Sequence, residues 1–470
     1  MNHASALRQV RELWDGEVVG VLSDFLRIPN KSPVFAPDWR ELGHMERAVE
    51  FVAQWCRARK LDGLKVEVVR LPGRTPLLFM EIPGSSRGTV LMYGHVDKQP
   101  EFEGWSDGRS PWEPVLRDGR LYGRGGADDG YAAFSALSAL EVLSAQNLAH
   151  ARCVVLIEAS EESGSPDLEA YVEALSARIG RPDLVVCLDS GCGNYDQLWC
   201  TTSLRGTLVG DLRVDVLTEG VHSGDASGIV PSSFRIIRQL VERIEDAATG
   251  EIRLPELHVD IPRERTVQAQ VAQRALAGLE TTAFPWAGHT RPVTEGAGAI
   301  LARTWKPALA VTAAAGFPAL EDGGNVMRTH TAFRLSIRLP PTCDSERAQA
   351  ALERALLSDP PYAASVSLDL SKSSTGWDAP PLQEWLRVAA DDASTNAFGR
   401  EAVWMGEGGS IPFMGMLGER FPEAQFLITG VLGPSSNAHG PNEFLDLATA
   451  HRVTVSVAHV LAAHASALAP

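Results

Sequence analysis

The stretch Thr89-Val90-Leu91-Met92-Tyr93-Gly94-His95-Val96-Asp97 decides the fold. Its first five residues are apolar or β-forming on successive positions, so a strand here must be covered on both faces, as in a parallel sheet sandwiched between helices. It then runs directly into an imidazole and a carboxylate. Cys153–Ile157, Leu184–Leu188 and Ala424–Thr429 have the same apolar character, and they lead to Glu161-Glu162, Asp189 and His439. In an open parallel sheet, ligands bind beyond the carboxyl ends of the strands, so these groups are expected to converge on one rim.

Outward from that core, Lys65–Leu71 and Leu77–Ile82 add short β-rich runs, and helical patterns cover Asp129 to about Ala145 and Leu168–Ile179. This alternation predicts an α/β fold with a mostly parallel sheet flanked by helices. The middle of the chain reads differently. Leu204–Leu217, Thr331–Leu339 and Ser365–Leu370 alternate as half-exposed strands do, with helices expected at Ser232–Ala247 and Asp344–Leu357. The expected organisation is therefore an α/β body in two parts, residues 1–203 and 379–470, with an inserted α+β module at 204–378. Leu254–Gly316 gives no clear reading.

The chain has 470 residues, of which 44% are hydrophobic and 22% charged, a composition that suits a soluble multidomain protein and excludes disordered or collagenous classes. Its net charge of -16 disfavours nucleic acid and anionic bilayers as partners. Met1–Leu26 reads as an amphipathic helix rather than a signal peptide, and no uncharged apolar run is long enough for a membrane span. The six cysteines lack paired metal-ligand spacing and read as reduced core thiols, which points to the cytoplasm.

The strand ends, with Asp128 in the loop Gly123–Gly130, offer nitrogen and oxygen donors suited to one or two divalent cations of the zinc or manganese type. Asp97 lies two residues from His95, placed to accept its other ring N–H. Taken singly, each group has an ordinary alternative: Asp128 or Asp129 as a helix N-cap, Glu161-Glu162 as a solvated loop, His439 as a partner for a backbone carbonyl. Their joint occurrence at separate strand ends favours the metal reading. Gly84–Gly88 matches a serine-hydrolase string but precedes a strand instead of following one. The glycines of Gly123–Gly130 lack the preceding buried strand of a dinucleotide loop, and the aspartates there would repel a pyrophosphate.

In order along the chain, Gly94–Asp97, Tyr122-Gly123-Arg124-Gly125-Gly126-Ala127-Asp128-Asp129-Gly130, Glu161–Ser165, Asp189 and Asn437-Ala438-His439 resemble the successive motifs of the dinuclear metallopeptidases. That family includes carnosinase and cytosolic dipeptidases, glutamate carboxypeptidase, aminoacylase and succinyl-diaminopimelate desuccinylase. Glu161–Ser165 and Glu407–Pro412 are most similar to the carnosinase-like dipeptidases. The resemblance implies a zinc-peptidase-like catalytic domain, with residues 204–378 as a lid and dimerisation domain. It implies that Asp128 bridges two ions, zinc first, with manganese or cobalt as alternatives. His95 and Asp189 would complete one site, and Glu162 and His439 the other.

Glu161 would be the general base acting on a metal-bridging water, supported by Asp97, and the Asp128-Asp129 peptide would be cis. His222 would reach the partner subunit's active site to stabilise an oxyanion, while Arg338, Ser410 and Gly409 would hold the substrate carboxylate and Asn325 would make a lid contact. Two places depart from the pattern: Gly130 stands where lysine is common, and Asn325-Val326-Met327-Arg328 replaces a segment that usually ends in Ile-Pro. The expected activity is hydrolysis of the amide bond in dipeptides or short peptides with a free C-terminal carboxylate, by a homodimer. An N-acyl amino acid deacylase or carboxypeptidase on the same metals is the alternative. A catalytically silent dimer that binds amino-acid derivatives is a third reading, against which retention of Glu161 counts.

Overall fold

The computed structural model describes residues 1–468. Six strands form the central sheet: β1 (Lys65–Val69), β2 (Leu77–Ile82), β3 (Thr89–His95), β4 (Arg152–Glu158), β5 (Leu184–Cys187) and β6 (Gln425–Ile428). Their spatial order is β1-β2-β4-β3-β5-β6. β4, β3, β5 and β6 run parallel to one another, and β2 is antiparallel to both β1 and β4.

The apolar runs are continuous because each strand feeds two cores. Leu78, Met80, Val90, Met92, Val155 and Ile157 face a core closed by the N-terminal helical segment, His44–Arg57, Ala132–Ala145 and Leu447–Ala467. Leu77, Phe79, Leu91, Tyr93, Val154 and Leu156 face a second core closed by Tyr171, Phe413, Met414 and Leu417. At about 1.5–3 kcal/mol for each large apolar side chain removed from water, these two layers fix strand register without help from loops. Gly94 matters to the first layer. A Cβ there would collide with Ala132 and with Asp129 Oδ2, so glycine lets the helix Ala132–Ala145 press against the end of β3.

A second, antiparallel sheet is ordered Ala308–Ala315, His330–Leu339, Gly206–Asp215, Ser365–Ser374. Burial alternates strictly along most of Gly206–Asp215. The inward residues Leu208, Leu212 and Val214 pack with Leu335 and Ile337 beneath the helices Ser233–Val241 and Ser345–Leu357.

Three sequence expectations need correction. The run Leu204–Leu217 is two strands broken at Arg205: Trp199–Leu204 pairs with Val403–Glu407 and Trp377–Asp378 in a separate small sheet. Within the segment 204–378, Ala269, Ala272, Leu276 and Ile300 bury themselves against Trp199, Val403 and Met405. The helix expected from Asp129 starts at Ala132, after a tight turn over Gly126–Gly130, and the one expected over Ser232–Ala247 ends at Val241.

Candidate active site

Four parallel strands end on one rim and deliver the expected side chains to it. His95 closes β3 with its ring fully buried. Its Nε2 lies 3.3 Å from Asp128 Oδ1 and 3.8 Å from Asp189 Oδ2, where Asp189 follows β5. Asp128 sits in the turn before Ala132, and the Asp128-Asp129 peptide is cis. Its second oxygen, Oδ2, is 3.0 Å from Nε2 of His439, which is also 3.3 Å from Glu162 Oε2. Two triads result, His95–Asp128–Asp189 and Asp128–Glu162–His439, each with one ligand atom per residue inside a 4.8 Å spread. Asp128 belongs to both.

Asp97 organises the surroundings. Its backbone carbonyl lies 3.1 Å from His95 Nδ1, which directs the ring's Nε2 toward the carboxylates. Its carboxylate accepts the backbone N–H groups of Glu161 and Glu162, both at 3.0 Å, and so fixes the one-turn helix Glu161–Ser163 that follows β4. Ser163 Oγ anchors the other side of that turn, 2.6 Å from Ser32 Oγ and accepting Val34 N–H at 2.9 Å.

The electrostatics suit bound cations. Burial pushes the Glu161 carboxyl well above its usual range, with the charge of Asp189 adding to it. Burial and the charge of Asp128 do the same to Glu162, and burial lifts Asp189 to about 6. Burial also opposes ionisation of Asp128, but hydrogen bonds from His439 and His95 outweigh it and hold that carboxyl below its usual range. Glu162 Oε1 is buried without a hydrogen-bond partner. Crowded buried carboxylates around two imidazoles, with an oxygen left over, form a donor set that divalent cations satisfy and neutralise.

Of the substrate residues expected from sequence, Arg338, Ser410 and Gly409 stand together. Arg338 Nη1 donates to Ser410 Oγ at 3.1 Å. Arg205, which the sequence reading overlooked, holds that loop: its backbone N–H donates to the Gly409 carbonyl and its Nε to the Gly408 carbonyl, both at 3.1 Å. His222 and Asn325 are not brought to the two triads of their own chain by any hydrogen bond or ion pair among the described residues. They stand together on a small ribbon, where His222 pairs with Val326 and Ser223 N–H donates to the Asn325 carbonyl at 2.9 Å. The His222 side chain is 66% exposed, with Gly224 N–H and Asp225 as its neighbours.

Two further features were missed. Gln99 Nε2 donates to Glu162 Oε2 at 2.5 Å, and its place two residues past Asp97 was the available signal. A buried Arg124–Glu443 pair ties the Asp128 loop to the His439 loop, and Glu443 had no sequence signal.

Solved structures share this architecture end to end. Human carnosine dipeptidase 1 superposes with a TM-score of 0.78 at 20% identity, covering 99% of both chains. The dipeptidase Dug1p of Saccharomyces cerevisiae gives 0.76 at 19% identity with the same coverage. In sequence, the cysteinylglycine-S-conjugate dipeptidase of Corynebacterium striatum is 26% identical over 437 residues, 88% of this chain and 89% of the relative. The pattern of Peptidase family M20/M25/M40 matches residues 91–463, a span that includes every member of both triads, and the chain belongs to that family.

Proposed function

We propose that this protein is a metal-dependent dipeptidase that cleaves the amide bond of dipeptides with a free C-terminal carboxylate. The observation that carries this reading is the sharing of Asp128 between two ligand triads beside the Asp97-anchored Glu161. His95 and Asp189 would hold one ion, Glu162 and His439 the other, and Asp128 both. Bound there, two divalent cations would supply Lewis acidity at the scissile carbonyl and acidify the attacking water. Zinc suits the nitrogen and carboxylate donors, and manganese or cobalt would also be accepted.

Glu161 takes the proton of the attacking water and passes it to the leaving amine. A carboxyl whose pKa is raised by burial is suited to that exchange near neutral pH. Arg338 and Ser410, with the backbone at Gly409, clamp the substrate carboxylate and hold the scissile bond in register. The named activity of the C. striatum relative, which aligns over nearly its whole length, supports dipeptides as the substrate class.

The working form is a homodimer built through residues 204–378, with 1–203 and 379–470 as the catalytic body. Exposed aromatic surface supports this: Phe234 meets Phe317 and Phe333 edge-on, with Phe234 and Phe317 exposed to solvent beside the outer strand Ala308–Ala315. Such a patch marks a contact surface. His222 and Asn325 then act on the partner's site, with His222 aimed at the oxyanion. No described helix is long and apolar enough to cross a membrane, and six free, buried cysteines support residence in the reducing cytoplasm.

The test is turnover of a panel of dipeptides, N-acyl amino acids and longer peptides under zinc, manganese and cobalt, before and after chelation. Dipeptides should lead, chelation should abolish cleavage, and Glu161→Gln should bind metal without turnover. Preference for N-acyl amino acids, or cleavage that survives chelation, overturns the reading.

A further inference from the structure

We propose that the buried Arg124–Glu443 pair is a positioning device for the Asp128–Glu162–His439 site, so that it controls the affinity of that metal position far more than that of the other. The inference rests on the dinuclear reading above. Arg124 is 1% exposed and Glu443 fully buried, with Nη1 and Oε2 2.7 Å apart. The guanidinium spends its other donors on two loops: Nε donates to the Pro100 carbonyl at 3.0 Å and Nη2 to the Gly440 carbonyl at 2.6 Å. Glu443 in turn accepts the Gly125 N–H at 3.0 Å, and its backbone carbonyl accepts Gly123 N–H at 3.1 Å. One ion pair thus fastens together the loop after His95, the loop of Asp128 and the loop of His439.

The two metal positions do not depend on it equally. His95 and Asp189 are held by strands inside the sheet, and their side chains are 0% and 10% exposed. His439 is 56% exposed and belongs to a loop with no strand of its own. In that loop Ser435, Asn437, His439 and Asn442 all have φ between 53° and 65°, a left-handed conformation that non-glycine residues adopt at a cost. Besides the pair, Ser106 N–H reaches the loop by donating to Asn442 at 2.9 Å, and Tyr195 Oη donates to the Pro434 carbonyl at 3.2 Å, farther from His439. Local hydrogen bonds such as Gly440 N–H to the Asn437 carbonyl shape the loop internally without aiming it. The Arg124 fork on Gly440 and Glu443 is what sets His439 against Asp128.

A buried ion pair repays its desolvation only when every donor and acceptor is used, and its best-supported role is to specify one geometry. All the groups named here are used. Outer-shell partners of metal ligands commonly govern affinity by about 10–100-fold.

The experiment titrates metal-free protein with Mn2+, following stoichiometry by calorimetry and the spin-coupled pair by electron paramagnetic resonance. Wild type should take two ions per chain and show the coupled signal. Glu443→Gln should bind the first ion within about threefold of wild type and the second about 10–100-fold more weakly, with a mononuclear spectrum at intermediate manganese. Arg124→Lys, which keeps the charge but cannot form the fork, should give the same split and decides the matter if Glu443→Gln does not fold. Asp378→Asn breaks the remote Arg265–Asp378 pair, 2.8 Å apart, and should leave both affinities unchanged. Equal weakening of both sites, or of neither, overturns the proposal while leaving the dinuclear reading intact. Fewer than two ions on wild type overturns both.

Discussion

The Asp97 carboxylate accepts the backbone N–H of Glu161 at 3.0 Å, while the same carboxylate lies 3.4 Å from Nδ1 of His95. One buried side chain therefore fixes the proposed base and a proposed metal ligand together. Asp97→Asn is not conservative here, because both oxygens already receive N–H groups and an amide would turn an NH2 against one of them. A lost bond to a charged acceptor of this kind costs about 1.5–3 kcal/mol. Asp97→Asn should bind metal more weakly by about 10–100-fold and lose turnover beyond that, even at saturating metal. Full turnover restored by excess metal alone would show that Asp97 orients His95 but not Glu161.

The strand ends were legible in the sequence because β3, β4, β5 and β6 are buried on both faces, and a doubly buried strand leaves an unbroken apolar run. The rest depended on distant partners. Ala308–Ala315 is rich in alanine, a helix former, yet pairing with His330–Leu339 makes it an edge strand. Helices within 263–304 settle on Trp199 and Val403, far away in the chain, so no local period announces their destination. His222 and Asn325 were read as functional from a resemblance, and they share one small ribbon with no hydrogen bond or ion pair to the two triads among the described residues.

The Arg338–Ser410 contact yields a test of substrate choice. A guanidinium that clamps a carboxylate contributes about 1.5–3 kcal/mol through charge-assisted bonds, a factor of about 10–150. Arg338→Ala should lower kcat/KM for a dipeptide by about that factor, mostly through KM, and should barely change cleavage of its C-terminal amide. Equal losses on the acid and the amide would remove Arg338 from carboxylate recognition.

Gly130, where the resemblance leads one to expect lysine, is explained by Phe25. A Cβ at this position would stand 2.5 Å from the Gly125 carbonyl oxygen and 2.6 Å from the fully buried Phe25 ring. Overpacking of this kind typically costs about 1–3 kcal/mol. Gly130→Ala should lower unfolding free energy by that amount in urea titrations. It should cost less in a Phe25→Ala background, where the ring is gone. An equal cost in both backgrounds would place the strain in the Gly125 backbone contact instead.

His451 sets an acid limit on stability. It is 4% exposed on the C-terminal helix, edge-on to Trp14 with ring centroids 5.5 Å apart. Burial pushes its pKa down to about 4, and the charge of Asp15, 3.9 Å from Nε2, only partly opposes this. The unfolded chain, with an ordinary histidine pKa near 6.5, therefore binds the proton first. The stabilising contribution of neutral His451 is complete above about pH 6.5, falls as pH drops toward about 4, and is gone below that. The span corresponds to on the order of 3 kcal/mol. His459, pushed down to about 4 by burial, adds a loss of the same sign, so one substitution removes only part of the slope. Urea unfolding near neutral pH and at about pH 4.5 should show wild type losing more stability than His451→Gln by on the order of 2 kcal/mol. Parallel losses in the two proteins would mean that His451 takes up its proton in the folded state as readily as in the unfolded chain.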